Sequence, residues 1–342
     1  MGGDNAPHDV VHGGIEAARV SHGRYEIVLV GDQQAIEKEI ARHFRTQELP
    51  LKIVHAAQII AMDEQPSIAL KKKESSVAVA MRLHRLREVD AVVSAGNTGA
   101  VMASALFELK RVPGIRRPAI GMLMPSENGR TLLIDVGATV DSRPDDLIEF
   151  GLMGSIFYAH LFSEKNPSVG LLSNGQESVK GNEITLKAFE RFLKSPLNFI
   201  GNVEGGDVLK GKANVVVCDG FVGNIVIKFA ESLHGLFKAN LRRLVRKYFF
   251  SQVGAVLMKP TFDGIRKAFD YQEYGGAPLL GVQGCCIIAH GRSTPRAIKN
   301  ACLAAFKTVS ENVTAHIQEH VSSLTAVQHG NKPKSMKDRR VK

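Results

Sequence analysis

Tryptophan is missing from this chain of 342 residues, and cysteine occurs only four times. Cys218, Cys285, Cys286 and Cys302 form no C-x-x-C pair, and the two adjacent ones are badly placed to bond each other. A disulfide scaffold is excluded, and reduced, mostly buried thiols are expected. No uncharged apolar run is long enough to span a bilayer. The opening MGGDNAPHD carries two acids and a proline, unlike a secretory leader, so a cytoplasmic protein is expected. No G-x-G-x-x-G follows an apolar run, which argues against a dinucleotide-dependent dehydrogenase. The pairs His8/His12 and His316/His320 sit four residues apart, but neither has a third ligand or a placed glutamate. Both read as surface coincidences, and no metal or cofactor is expected. No Ser-His-Asp arrangement is evident either.

What is present is enough for a large core, since 44% of the residues are apolar. The net charge is +10 and unevenly spread. The stretch from His329 to Lys342 contributes +5 and lacks periodicity, so a basic, disordered tail is expected over 323–342. Other cations cluster at Lys71, Lys72 and Lys73, at Arg82, Arg85 and Arg87, at Arg116 and Arg117, and at Arg242, Arg243, Arg246 and Lys247. Such patches suit an acidic protein, an anionic membrane or nucleic acid. No nucleic-acid motif or aromatic-studded basic strand accompanies them.

Apolar runs at 25–30, 51–57, 90–94, 119–124, 131–136, 168–173, 197–203 and 213–218 alternate mostly with helical stretches. The pattern predicts an α/β fold, doubly wound around a mostly parallel sheet with helices on both faces. Asn128-Gly129 predicts one antiparallel hairpin and LLGVQGCCIIAHG a second. A last helix is expected to start at Pro295, capped by Thr294. Between them, Leu233, Leu236, Phe237, Leu241, Leu244, Val245 and Tyr248 predict a long amphipathic helix, and 232–272 a helical protrusion from one domain spanning 1–322.

Several apolar runs end in glycine loops that open into a helix: VVSAGNTGA, LLIDVGATVD, LLSNGQESVKGNE and VVVCDGFVGN. Each leaves backbone N–H groups and the positive end of a helix dipole facing outward. Together with AHGRSTPRA they suggest a crevice for an anion, phosphate above all.

The strings MGGDNAP, VVSAGNTGA, LLIDVGATVD, KGNE, NFIGNVEG, VVVCDGFVGN, YGGAPLLG and AHGRSTPRAIKNA occur in this order. In this the chain resembles the bacterial phosphate acyltransferases of phospholipid synthesis, the PlsX family. The resemblance implies transfer of a long-chain fatty acyl group from acyl carrier protein to inorganic phosphate, giving acyl phosphate. It implies Lys180 and Asn224 as catalytic residues, with Gly96, Asn97, Thr98, Gly99, Gly137 and Gly223 lining the phosphate site. His290, at a strand end, joins them as a candidate. It further implies a homodimer, peripheral on the membrane, whose product passes to a membrane glycerol-3-phosphate acyltransferase.

That chemistry needs no side-chain nucleophile, because phosphate itself attacks the thioester. The protein must hold phosphate in line and stabilise the developing oxyanion. Competing readings stay open at this stage. Asn224 suits a helix cap, and Lys180 a solvated surface position. Asp135 and Asp219 suit donor orientation, cation binding or simple turns. Cys218 reads as a buried core thiol or an acyl-carrying one. The apolar stripe with Phe249, Phe250, Val256 and Leu257 beside the cations suits a membrane tip, an acyl carrier protein surface or packing on a partner copy. Thr139 stands where the family has asparagine, and Ser173 to Gln176 differ from its Asn-Ile-Gly-Glu-like run. A short apolar strand normally precedes MGGD in the family, so either a start further upstream or a compromised chain is expected. The rival functions are a phosphotransacetylase-like enzyme using acyl-CoA and a non-catalytic lipid-binding scaffold.

Overall fold

A computed structural model describes residues 1–262, 264 and 275–328, with side chains as far as Val321 in the last helix. Residues 329–342 and part of 232–272 lie outside the described residues. The strands are β1 (Ile27–Gly31), β2 (Leu51–His55), β3 (Ala91–Ser94), β4 (Ala119–Ser126), β5 (Gly129–Ile134), β6 (Ser168–Leu172), β7 (Asn198–Val203), β8 (Val215–Val217), β9 (Ala277–Leu280) and β10 (Cys285–Ile288). The helices are α1 (His8–Ser21), α2 (Gln33–Ile40), α3 (Ser76–Arg85), α4 (Thr98–Glu108), α5 (Pro144–Phe162), α6 (Glu183–Phe192), α7 (Gly205–Lys210), α8 (Gly220–Lys247), α9 (Phe249–Leu257), α10 (Pro295–Ser310) and α11 (Val313–Gln328).

Local chemistry explains where these helices start. Asp32, Ser75, Asn97, Asn182, Asp219 and Thr294 each accept the N–H three residues on, capping α2, α3, α4, α6, α8 and α10. The centre of the sheet is legible in β5, whose Leu132, Leu133 and Ile134 form an uninterrupted, fully buried run. Helix α5 packs over it with Phe150 and Met153. Gly154 lies so close that an added methyl would come 2.8 Å from Val215.

Eight strands form one mixed sheet, ordered β3-β10-β9-β4-β5-β8-β6-β7. Both expected hairpins are present, but they meet: β4 pairs antiparallel with β5 and also with β9, which pairs antiparallel with β10. The sheet is therefore parallel only at its two ends, β3 with β10, and β5, β8, β6 and β7. It follows that β3, β4 and β10 run opposite to β5, β6, β7, β8 and β9. Sequence periodicity carries no information on which hairpin neighbours which.

Strands β1 and β2 do not join that sheet. They form a parallel pair of their own, and among the described residues β1 has no partner but β2, and β3 none but β10. Their free edges line a cavity of about 430 Å³, walled by α1, α3 and α10. Met1 and Gly2 stand at its mouth. The Met1 amino group reaches Val30 O at 3.4 Å, and Gly2 lies against Gly96.

Helix α8 starts at Gly220 and is 28 residues long, earlier and longer than the expected stretch. Gly220, Gly223 and Ile227 are buried and Val226 and Ala230 pack on the same core, so α8 stands off the body only beyond its first three turns, until extended Tyr248 breaks it from α9. The expected tail boundary at 323 falls inside α11, which runs to Gln328. His8 Nδ1 pairs with Glu39 at 3.0 Å, and His316 stacks on His160.

Candidate active site at the carboxyl ends of β5, β6 and β8

Strands β5, β8 and β6 are adjacent and parallel, so the loops after them open at one edge. Those loops carry Gly137 and Lys180, and the one after β8 leads into Gly220 to Asn224 at the start of α8. The loops after β3 and β10, with Gly96 to Gly99 and His290, leave the other ends of their strands, because β3 and β10 run the opposite way. The expected row of glycine junctions is thus two groups, not one.

In the first group, the end of α8 is built from Asp219. Its carboxylate caps the helix through Val222 N–H at 2.9 Å, and its carbonyl accepts from Gly223 N–H. The cap reading of Asn224 falls here, since the position is taken. Asn224 sits on the exposed side of the first turns, its amide without a partner among the described residues. Phe221 N–H is likewise open. An added methyl on Gly137, whose φ is +140°, would come 3.7 Å from Asn224 Nδ2, so loop and amide face each other. Gly223 is required by closeness alone, because a methyl there would lie 1.9 Å from Asp135 O.

Asp135, immediately after β5, is fully buried. Its Oδ1 accepts from the N–H groups of Ile120 (2.9 Å), Gly137 (3.1 Å) and Ala138 (3.0 Å), and its Oδ2 from Thr139 (2.6 Å). Burial pushes its carboxyl above the usual range, and the four N–H groups oppose that. The loop at Gly137 is therefore no open anion cradle. Its donors are already spent on a carboxylate of the chain itself. The turn and cation readings of Asp135 give way to that of a donor organiser.

Lys180 is exposed and unpaired among the described residues, at the tip of the loop after β6. The loop itself is tied down. Asn202 Nδ2 donates to Glu177 O at 2.8 Å, and Gln176 Nε2 to Asp207 Oδ2 at 3.0 Å. Gly181, at φ +119°, packs against Thr185 and turns the chain into α6. Cys218 is buried, its Sγ donating to Asp135 O at 3.3 Å, and burial raises its thiol well above the ordinary value. It is no acyl-carrying thiolate.

In the second group, Asn97 is spent on structure. Its Oδ1 caps α4, and its Nδ2 donates to Met62 O (3.0 Å) and Glu64 O (2.9 Å). Gly96 N–H is taken by Ser94 Oγ, and Gly99 is there for packing, since a methyl would lie 2.4 Å from Pro66. The N–H groups of exposed Thr98 and of Gly99 have no partner among the described residues. His290 is exposed and accepts through Nδ1 from Arg292 N–H, while Arg292 pairs with Asp4.

The site is a set of unpaired donors around a helix start at the edge of a mixed α/β sheet. A phosphotransacetylase of Streptococcus pyogenes has the same fold, with a TM-score of 0.58 at 18% identity over 88% of this chain and 91% of that one. Residues 1–316 match the fatty acid synthesis protein family. A phosphate acyltransferase of Moorella thermoacetica is 49% identical over 92% of this chain and 91% of its own length. One of Heliobacterium modesticaldum is 47% identical over 94% of this chain and 96% of its own. The chain belongs to the fatty acid synthesis protein family, and it is an acyltransferase.

Proposed function

We propose that the protein transfers a long-chain fatty acyl group from acyl carrier protein to inorganic phosphate, releasing acyl phosphate and the free pantetheine thiol. A phosphate oxygen attacks the thioester carbonyl, an oxyanion forms, and the C–S bond breaks. The leaving thiolate has a pKa of about 8.5, judged from cysteine, so no strong acid is needed. The observation that carries this reading is the unpartnered Asn224 amide beside Gly137, at the same sheet edge as the unpaired Lys180. It supplies donors for phosphate and oxyanion and no nucleophile of its own. Thiol release from long-chain acyl carrier protein should require phosphate and scale with its concentration. Equal release without phosphate would make the protein a thioesterase and end the proposal. Faster release from acyl-CoA would favour a phosphotransacetylase-like donor instead.

The exposed surface of α8 and α9 supports the protein-borne donor and a membrane address. Arg116 pairs with Asp145 and Asp146, Arg85 with Glu108, Arg82 with Glu74 and Lys72 with Glu64, so those clusters are partly neutralised. Arg242, Arg246 and Lys247 make no ion pair among the described residues. Beside them Phe250 is 86% and Leu257 77% exposed, and Phe249 and Val256 are exposed as well. This tip rests on anionic lipid, near the membrane acyltransferase that takes the product. The stripe Phe221, Ile225 and Phe229 nearer the body pairs with a second copy. No described helix is long and apolar enough to cross a membrane. Phe249→Ser/Phe250→Ser should lose sedimentation with anionic vesicles while keeping activity on soluble substrate. Unchanged sedimentation would remove the tip from the membrane.

A further inference from the structure

We propose that Asp135 is a positioning residue for the acyl transfer, acting through Asn224; the inference rests on the role of Asn224 just given. The carboxylate is the hub on which the loop after β5 is wound. It gathers N–H groups from Gly137, Ala138 and Thr139 of that loop, and it ties them to Ile120 of β4. Its only hydrogen-bond partners among the described residues are backbone donors, and no cation pairs with it. Such a carboxylate dictates loop geometry without contributing an ion pair.

The same group touches the start of α8. A methyl on Gly220 would come 2.6 Å from Asp135 Oδ2 and 2.7 Å from Thr139 O, and Gly220 N–H donates to Thr139 O at 3.0 Å. Cys218 Sγ and Asp135 N–H tie Asp135 to the end of β8. The wound loop and the first turn of α8 therefore form one unit. Gly137, displayed by the winding, is the part of it that faces the Asn224 side chain. Loosening the hub lets Gly137 and Asn224 separate, and a donor displaced by about 1 Å loses most of its worth to a transition state.

Asparagine at 135 tests this closely. It keeps the size but turns one acceptor into a donor, which faces N–H groups that have nowhere else to go. Asp135→Asn should lower kcat about 100-fold while leaving KM for acyl carrier protein unchanged. The decisive reading is its coupling to Asn224→Ala. If Asp135 acts through Asn224, the double variant should be no more than about threefold slower than Asn224→Ala alone. Losses that multiply would overturn the proposal, and so would wild-type kcat in Asp135→Asn. Should Asp135→Asn not fold, Gly137→Ala carries the same test. Its side chain is incompatible with φ +140°, it leaves the carboxylate in place, and its loss should likewise vanish in the Asn224→Ala background. Wild-type activity of Asn224→Ala by itself would instead remove Asn224 from the chemistry, a failure seen before any cycle is read.

Discussion

Lys180→Ala is expected to slow phosphate-dependent thiol release by about 10²–10³-fold, the usual cost of removing one stabilising donor from a transition state. Thermal stability should barely move, because an exposed side chain with no ion pair contributes within about 0.5 kcal/mol. The contrast between the two effects is the point. A surface lysine needs no rigid support, yet the loop of Lys180 is tied to Asn202 and, through Gln176, to Asp207. Lys180 N–H also donates to Glu177 O at 3.1 Å, and its side-chain stem fills the space beside Gly175. The loop holds a bare ammonium at the edge where Asn224 displays its amide. The kinetic form of the loss separates two tasks. A raised KM for phosphate with kcat kept means that Lys180 binds phosphate in the ground state. A lowered kcat means that it stabilises the oxyanion. Wild-type values of both would exclude Lys180 from the reaction.

How far the sequence reveals this site depends on the range of the interactions that set it. Strand positions were legible from apolar runs between glycines, and Thr294 announced α10, because both signals act within a few residues. Glycine junctions were legible as well, but their use was not. Whether the N–H of Gly137 faces a ligand or a carboxylate depends on Asp135 being drawn inward by Ile120, fifteen residues away on another strand. Asn97 looks like a phosphate contact until the segment at 61–64 closes over it, more than thirty residues distant in sequence. Asn224 shows the converse. Its sequence position allowed a cap, and only the side chain of Asp219, turned onto Val222 N–H, frees it. The strand order escaped for the same reason. Two hairpins with local signals can dock in several ways, and long-range core packing chooses between them.

A strand supplied to the slot between β1 and β3 is expected to stabilise the protein markedly, and more so at low pH. Both strands present unpaired edges to it. Val28 and Val30 line one side, Val93 the other, and Val77, Ile298 and Phe306 close it. Bare ladder groups suit a peptide better than an alkyl chain. Direction follows from Met1 and Gly2, which lie between the carboxyl ends of β1 and β3. Residues joined ahead of Met1 would enter the slot there and run parallel to both neighbours, a ladder that continues β2-β1 into β3-β10. The buried Met1 amino group adds the pH dependence. Burial lowers it from its ordinary 8.0 to about 6. Above pH 8 neither folded nor unfolded chain carries that proton, so it costs nothing. As pH falls from 8 to 6 the unfolded chain takes up a proton that the folded chain refuses, and about 3 kcal/mol is lost. Joining five alternating Val and Ser residues to Met1 turns the amine into an amide and fills the slot. The melting temperature should rise at pH 8.5 and rise further at pH 6, with new hydrogen-exchange protection in β1 and β3. A five-residue Gly/Ser extension removes the charge without apolar side chains, so it should recover only the pH-dependent share. If the two extensions stabilise equally, or if β1 and β3 gain no protection, the slot does not take a strand.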